Sequence, residues 1–512
     1  MKIVNRLFKI VFSRLTLAIL LLIAQILVVY ISFLFFYKYI VWIVGGTSIL
    51  SIVLVLYLIN TKTNPSYKIA WIIPILIFPV IGVTAFIFCH FQISLKYISK
   101  KLKKIRKNSQ KYLVQDADLY QDIKKNDISF SNLSKYLYST CGYPVYNGSK
   151  IKYFENGEEK FKSLLNDLKS AEKYIFIEYF IIGKGYMWDT ILEILKEKSQ
   201  EGVEIRVMYD GLGSLITLPY NYEKELEKFG IKCKPFFPVK LELSLHQNNR
   251  DHRKICIIDG KIGYTGGINL ADEYINKKEK YGYWKDTAIR IEGTSVNSFV
   301  VMFLELWNID EKKEDNYEKY VNNINEKSNN DGYVIPYGDS PLDEYETGKR
   351  VYMDILNTAN KYVDIITPYL ILDDELLSSI IYASNRGIKV RIIMPHIPDK
   401  KIVYYLGRSY YKDLISSGVE IYEFKRGFTH AKMFISDNCK AVVGTINLDY
   451  RSLYLHFECA CYIYKNKVIK EIQDDYNKTI NESIRITEKE VDDYNIMKKT
   501  IGRVLRFLAP FM

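Results

Sequence analysis

The chain has 512 residues, a net charge of +12 and 48% hydrophobic residues, which is too long for one domain and ample for a large core. The positive balance asks for an anionic partner, lipid or nucleic acid. No P-loop or glycine-rich nucleotide cradle occurs, which excludes the nucleotide-driven classes that depend on one. The seven scattered cysteines lack disulfide or metal spacing and read as free thiols in a reducing compartment.

Residues 1–92 are expected to be membrane-embedded. The apolar runs 15–36 and 39–59 each reach the roughly 20 residues a bilayer crossing needs. A third run, 69–91, is broken by Pro74, Pro79 and Gly82, so it is expected to dip in and return rather than cross. Lys2, Arg6, Lys9 and Arg14 precede the first run, and Lys96, Lys100, Lys101, Lys103, Lys104, Arg106 and Lys107 follow the third. Both basic flanks belong in the cytoplasm, which requires an even number of crossings. The sequence therefore predicts a multi-pass cell-membrane protein with its soluble part on the cytoplasmic side. Residues 93–141 form a basic juxtamembrane region suited to an anionic leaflet, at about 1 kcal/mol per cation.

From residue 142 the pattern is that of an α/β domain. Residues 174–180 and 203–208 are strand candidates, 187–196 is a helix with Ile191, Leu192, Ile194 and Leu195 inside, and 299–307 is a closing helix. Within this first lobe, 142–310, stands Asp251-His252-Arg253-Lys254-Ile255-Cys256-Ile257-Ile258-Asp259, then Gly266-Gly267-Ile268-Asn269. Residues 311–332 are charged, Asn-rich and without apolar period, as in a linker.

The second lobe, 333–490, repeats the first. Ala171-Glu172-Lys173-Tyr174-Ile175 is echoed by Ala359-Asn360-Lys361-Tyr362-Val363, and Gly202-Val203-Glu204-Ile205-Arg206-Val207 by Gly387-Ile388-Lys389-Val390-Arg391-Ile392. His430-Ala431-Lys432 follows with Asp437, then Gly444-Thr445-Ile446-Asn447, at the first motif's spacing. The chain is an internal duplication. Its expected fold is α/β, two homologous lobes with mixed sheets flanked by helices, facing each other about a pseudo-twofold axis. Residues 491–512 form an amphipathic basic tail with Met497, Ile501, Val504, Leu505 and Leu508 on one face, suited to a membrane surface.

Alternation along a strand points His252 and Lys254 to one side, and likewise His430 and Lys432. Asp259-Gly260 and Asp437-Asn438 are hairpin signals. A two-residue loop sets Gly267 opposite His252 and Thr445 opposite His430, with Asn269 and Asn447 just beyond. Each hairpin then offers an imidazole, an ammonium and a carboxamide to one point. Two such sets suit phosphodiester chemistry: a nucleophile, a proton for the leaving alkoxide and cover for the phosphoryl oxygens. That chemistry needs no metal or other cofactor, and no carboxylate or His/Cys cluster in the sequence suggests one.

These motifs resemble those of the phospholipase D superfamily. The flanking Gly266-Gly267-Ile268-Asn269-Leu270-Ala271-Asp272-Glu273-Tyr274, Trp284-Lys285-Asp286-Thr287 and Asn447-Leu448-Asp449-Tyr450-Arg451-Ser452 are similar to bacterial cardiolipin synthases. One departure is His456, where that family usually has Asn. The resemblance implies transfer of a phosphatidyl group between two phosphatidylglycerols. His252 would be the nucleophile and His430 the acid and base, a pair of roles that near-symmetry allows to be exchanged. Lys254, Lys432, Asn269 and Asn447 would hold the phosphoryl oxygens, and Asp286 and Glu458 would orient the imidazoles. Asp259 and Asp437 complete the catalytic motifs, though their turn positions point to structural work. His90, His246 and His396 lie outside the motifs. The implied partners are phosphatidylglycerol and anionic lipids rather than nucleic acid, with oligomeric state left open. The rivals are a phospholipase D-type hydrolase or another phosphatidyl transferase, a membrane-tethered nuclease, and a silent membrane scaffold.

Overall fold

The computed structural model describes residues 22–31, 37–90, 93–238, 248–322 and 331–511. It divides into two units, one of residues 1–96, 242–246 and 503–512, the other of residues 97–241 and 247–502. Residues 1–21 and 32–36, with most of the first expected span, lie outside the described residues, as does His246.

In the first unit, Tyr37–Asn60 is one helix, and its stretch Trp42–Asn60 is long and apolar enough to cross a bilayer. Among the described residues no other helix meets that test. The third apolar run becomes two helices, Pro65–Ile77 and Pro79–His90. A proline opens each, where its fixed φ fits the first turn. The chain folds back at Phe78, so that the rings of Trp71 and Phe86 meet at 5.4 Å. The fold-back needs Gly82, because a Cβ there would stand 2.4 Å from the Pro74 carbonyl oxygen. At 1.5 Å per residue each helix is about 20 Å long, short of roughly 30 Å of hydrocarbon.

The second unit holds the duplicated lobes. Lobe 1 contains β1 (Tyr146–Asn147), β2 (Lys150–Phe154), β3 (Tyr174–Tyr179), β4 (Glu204–Asp210) and β5 (Lys232–Phe236). It continues with β6 (Arg250–Asp251), β7 (Lys254–Ile258), β8 (Ile262–Gly266), β9 (Tyr283–Lys285) and β10 (Ala288–Glu292). Lobe 2 contains β11 (Tyr333–Asp339), β12 (Tyr362–Ile366), β13 (Lys389–Pro395), β14 (Glu420–Phe424) and β15 (Gly427–Thr429). It ends with β16 (Met433–Ser436), β17 (Lys440–Gly444), β18 (His456–Tyr464) and β19 (Ser483–Ile486). The first sheet runs β2-β10-β8-β7-β3-β4-β5, and the second carries β11-β18-β17-β16-β12-β13-β14 in the corresponding places. In each, three strands pair in parallel (β3-β4-β5 and β12-β13-β14) and the motif hairpin pairs antiparallel beside them. Strands β3, β7, β16 and β17 are buried along their whole length, as expected where helices cover both faces. The helix Val296–Trp307 is buried on every side and packs against both β7 and β11.

Two expectations change. The motif hairpins have three-residue rather than two-residue loops, with Ile258 opposite Ile262 and Ser436 opposite Lys440. The register of Gly267 against His252, and of Thr445 against His430, is therefore one residue off. Each loop does carry the two consecutive left-handed residues of a two-residue turn, Asp259 and Gly260 (φ 54° and 67°) and Asp437 and Asn438 (55° and 56°), but a third residue is added. Their aspartates reach sideways instead of closing a tight turn. The Asp259 carboxylate accepts the backbone N–H groups of Glu172, Lys173 and Tyr174 at 2.7–2.9 Å. Asp437 does the same for Asn360, Lys361 and Tyr362 at 2.8–3.1 Å. Both therefore sit at the far ends of β7 and β16 from the histidines and anchor the entry of a neighbouring strand. They belong to the catalytic motifs by sequence, and the structural work their turn positions point to is this anchoring.

The linker is also less free than its composition suggests. Tyr317 and Tyr320 are buried, and Asp315 pairs with Arg206 at 2.7 Å. Residues 323–330 lie outside the described residues. The basic helix Ile93–Ser109 turns Leu102 and Ile105 inward and pairs Arg106 with Asp343 at 2.7 Å, leaving Lys100, Lys103, Lys104 and Lys107 exposed. The tail is the helix Ile496–Leu508, with Ile496, Met497 and Val504 exposed. Replacing Asp259 or Asp437 by Ala should lower stability by about 2 kcal/mol each, through loss of charge-assisted hydrogen bonds. Thermal unfolding of the purified variants checks this, and an unchanged midpoint would contradict the anchoring role.

Candidate active site

The site is built where the lobes exchange main-chain hydrogen bonds. Strand β6 runs parallel to the start of β18, and the His252 N–H then donates to the Phe457 carbonyl at 2.9 Å. Strand β15 runs parallel to β9, and the His430 N–H donates to the Lys285 carbonyl at 2.7 Å. The next residue after each accepting carbonyl is a carboxylate, Glu458 and Asp286.

Those carboxylates meet the imidazoles crosswise. His252 Nδ1 lies 2.9 and 3.0 Å from the two Glu458 oxygens, and His430 Nδ1 lies 2.7 Å from Asp286 Oδ2. Both histidines are about 6% exposed, and both carboxylates are fully buried. Glu458 also accepts from the Thr445 hydroxyl, and Asp286 from the Thr287 N–H at 2.8 Å. Facing an ionised carboxylate, which can only accept, Nδ1 carries the hydrogen, and in neutral His252 Nε2 then keeps its lone pair.

Both lysines are buried and curl back on their own motif. Lys254 Nζ donates to the His252 carbonyl at 2.7 Å, and Lys432 Nζ donates to that of His430. Burial pushes Lys254 down to about 8. It pushes Lys432 to about 7, with the Lys254 ammonium adding to the effect. Burial and then these two ammoniums hold both imidazoles well below the ordinary histidine range. Burial raises Asp286 to about 7, against the pull of Lys432. The Asn269 carboxamide accepts from Ile181 N–H at 3.0 Å and donates to Tyr274 Oη at 2.7 Å. Asn447 donates to Ser452 Oγ at 3.0 Å, and its Oδ1 has no hydrogen-bond partner among the described residues.

The structure thus brings eight of the ten sequence-derived residues into one buried cluster and sends Asp259 and Asp437 elsewhere. His396 is also elsewhere, bonded to Glu423 at 2.8 Å. Several residues that sequence reasoning missed hold the motifs in place. Arg250 pairs with Asp210 at 2.9 Å, both wholly buried, and Asp210 also accepts the Asp251 N–H. Arg253 alternates away from His252 and pairs with buried Glu178 at 2.6 Å. Lys285 pairs with Asp475 at 2.7 Å. Charged residues inside strand-like apolar runs, such as Glu178, were the available signal. Aromatic rings wall the histidines, Phe180 at 4.9 Å from His252 and Tyr274 and Trp284 each at 5.6 Å from His430. Among the described residues, His252, His456 and Glu458 also gather three potential metal-ligand atoms within 4.8 Å of one another. Residues 252 and 456 are too far apart in sequence for any spacing rule to reveal that grouping.

Residues 164–307 and 352–480, together just over half the chain, match the family model described as cardiolipin synthase, PLD-like domain. The chain belongs to the cardiolipin synthase family of phospholipase D-like enzymes. Residues 49–89 match the phospholipase D-nuclease N-terminal model. A cardiolipin synthase of Alkalihalophilus pseudofirmus is 32% identical over 92% of this chain and 95% of its own length. One of Oceanobacillus iheyensis is 33% identical over 91% and 98%. Phosphatidylserine synthase of Haemophilus influenzae shares the fold, with a TM-score of 0.55 at 16% identity over 75% of this chain and 98% of that one. Cardiolipin synthases are phosphatidyltransferases, and that is the enzymatic class of this chain.

Two tests follow for this cardiolipin synthase site. A Cβ on Gly267 would fall 2.0 Å from Asp286 Oδ1, so Gly267→Ala displaces the carboxylate that orients His430. We expect kcat to fall about 100-fold with the protein still folded, as for other lost orienting contacts; wild-type kcat would refute it. Because Lys432 and Lys254 titrate near 7 and 8, rising pH strips the two ammoniums from the free enzyme. kcat/KM, which reports the free enzyme, should decline across that window, and a profile flat to well above it would contradict the assignment.

Proposed function

We propose that the chain makes cardiolipin by moving a phosphatidyl group from one phosphatidylglycerol to the glycerol head of a second, releasing glycerol. Nε2 of His252 attacks phosphorus and forms a phosphatidyl-histidine, while His430 protonates the departing glycerol oxygen. His430 then takes the proton of the incoming hydroxyl, which attacks phosphorus and frees His252. Lys254, Lys432, Asn269 and Asn447 cover the phosphoryl oxygens, where opposite charge in a dry site has its greatest effect. The crossed pairs His252–Glu458 and His430–Asp286 carry this reading, since they supply two equivalently oriented imidazoles. A carboxyl near 7 on Asp286 keeps a proton within the His430 pair at neutral pH, which supports His430 as the acid. Exchange of one phosphodiester for another is close to thermoneutral, so no nucleotide is required.

The matched strand orders and the crossed contacts support a pseudo-twofold relation between the lobes. For the membrane region we propose two crossings, with the helical pair 65–90 dipping in and returning and the lobes on the cytoplasmic side. The short lengths of that pair and the basic residues flanking the apolar region support this. The exposed lysines of the helix Ile93–Ser109 and the apolar face of the tail would then rest on anionic lipid.

Labelled phosphatidylglycerol given alone to the detergent-purified protein should yield cardiolipin and free glycerol. Phosphatidic acid as sole product would establish hydrolysis instead. His252→Ala and His430→Ala should each lower turnover by at least about a thousandfold, and near-normal rates in either would refute the two-histidine mechanism.

A further inference from the structure

We propose that His252, His456 and Glu458 form a binding site for a late first-row divalent cation such as zinc, and that the cation bound there stops turnover. His456 opens β18 and Glu458 follows two residues later, so both side chains leave the same face of the strand. His456 is 8% exposed, yet among the described residues neither of its ring nitrogens has a hydrogen-bond partner. Its Nδ1 stands 3.7 Å from Glu458 Oε1, too far for a hydrogen bond. A buried imidazole left in that state is costly, and no step of the transfer reaction described above uses it.

The geometry matches a metal better than a second proton. The ligand atoms of the three residues lie within 4.8 Å of one another. The rings of His252 and His456 have centroids 5.4 Å apart. Two imidazoles on one tetrahedral zinc, at Zn–N of about 2.0 Å, bring their centroids to about 5 Å. Two imidazoles and one carboxylate suit zinc and its late first-row neighbours, whereas magnesium and calcium prefer all-oxygen sites. Burial keeps both imidazoles neutral, the form that ligates. The nearby ammoniums of Lys254 and Lys432 and the Arg451 guanidinium oppose a dication. The site should therefore hold zinc reversibly rather than as a permanent structural ion.

Coordination through His252 Nδ1 shifts the ring hydrogen to Nε2 and takes the Glu458 carboxylate for the metal. Nε2 then carries a hydrogen in place of the lone pair that attacks phosphorus, so turnover stops without any change to the lipid.

The test uses the full chain in detergent, without a polyhistidine tag, and cobalt(II) as the probe. Cobalt should give visible ligand-field absorption that saturates at a single equivalent, that zinc abolishes, and that is missing in His456→Asn. Zinc should inhibit transfer by the wild type, EDTA should restore it, and His456→Asn should need at least about tenfold more zinc. His456→Gln, which keeps more of the side-chain length, serves as a second variant and should behave alike. No absorption in the wild type would overturn the proposal. So would absorption and zinc sensitivity that persist unchanged in both variants. Cobalt binding is read without lipid, so its failure stays separate from any failure of the transfer reading.

Discussion

The site depends on a main-chain exchange: the N–H of each motif histidine is accepted by a carbonyl of the opposite lobe, Phe457 for His252 and Lys285 for His430. Backbone hydrogen bonds in a strand ladder tolerate little displacement, so they set the height of each imidazole to within tenths of an ångström. The orienting carboxylate is the very next residue in the accepting strand. One pairing event therefore positions both the ring and the group that fixes its tautomer. Behind it, Arg250 with Asp210 and Arg253 with Glu178 hold the incoming strand from within lobe 1.

The cluster so assembled is electrostatically tense. Two ammoniums, two imidazoles and two carboxylates share a volume from which water is largely excluded, and desolvation works against the charged forms of both lysines, both histidines and Asp286. Lys254 and Lys432 depress each other's neighbours, and the imidazoles are held neutral. An anionic phosphodiester relieves this tension, because it supplies the negative charge that both ammoniums lack. The free enzyme is thus prepared for a phosphoryl group rather than at rest without one.

Much of this was legible in the sequence. Duplicated His, Lys and Asn at fixed offsets gave the half-sites, and the paired echoes around Tyr174 and Tyr362 gave the two lobes with corresponding strands. The positions of Asp286 and Glu458 came through family resemblance, since no local pattern says that a carboxylate will face a histidine of the other lobe. The hairpin register was misjudged because Asp-Gly and Asp-Asn suit a two-residue turn. Only the tertiary contact of each aspartate with three N–H groups selects the longer loop. The linker was read from composition, and two buried tyrosines suffice to dock it. Strand alternation puts His456 on the face of Glu458, but its relation to His252 exists in space and not in spacing.

The late position of β18 has a consequence for how the protein is made. Glu458 follows His252 by 206 residues, in a strand inserted between β11 and β17. A nascent chain still on the ribosome carries His252 long before that strand emerges. Until then the first histidine has neither its backbone partner nor its carboxylate. The first half-site is thereby kept incomplete until lobe 2 has been synthesised.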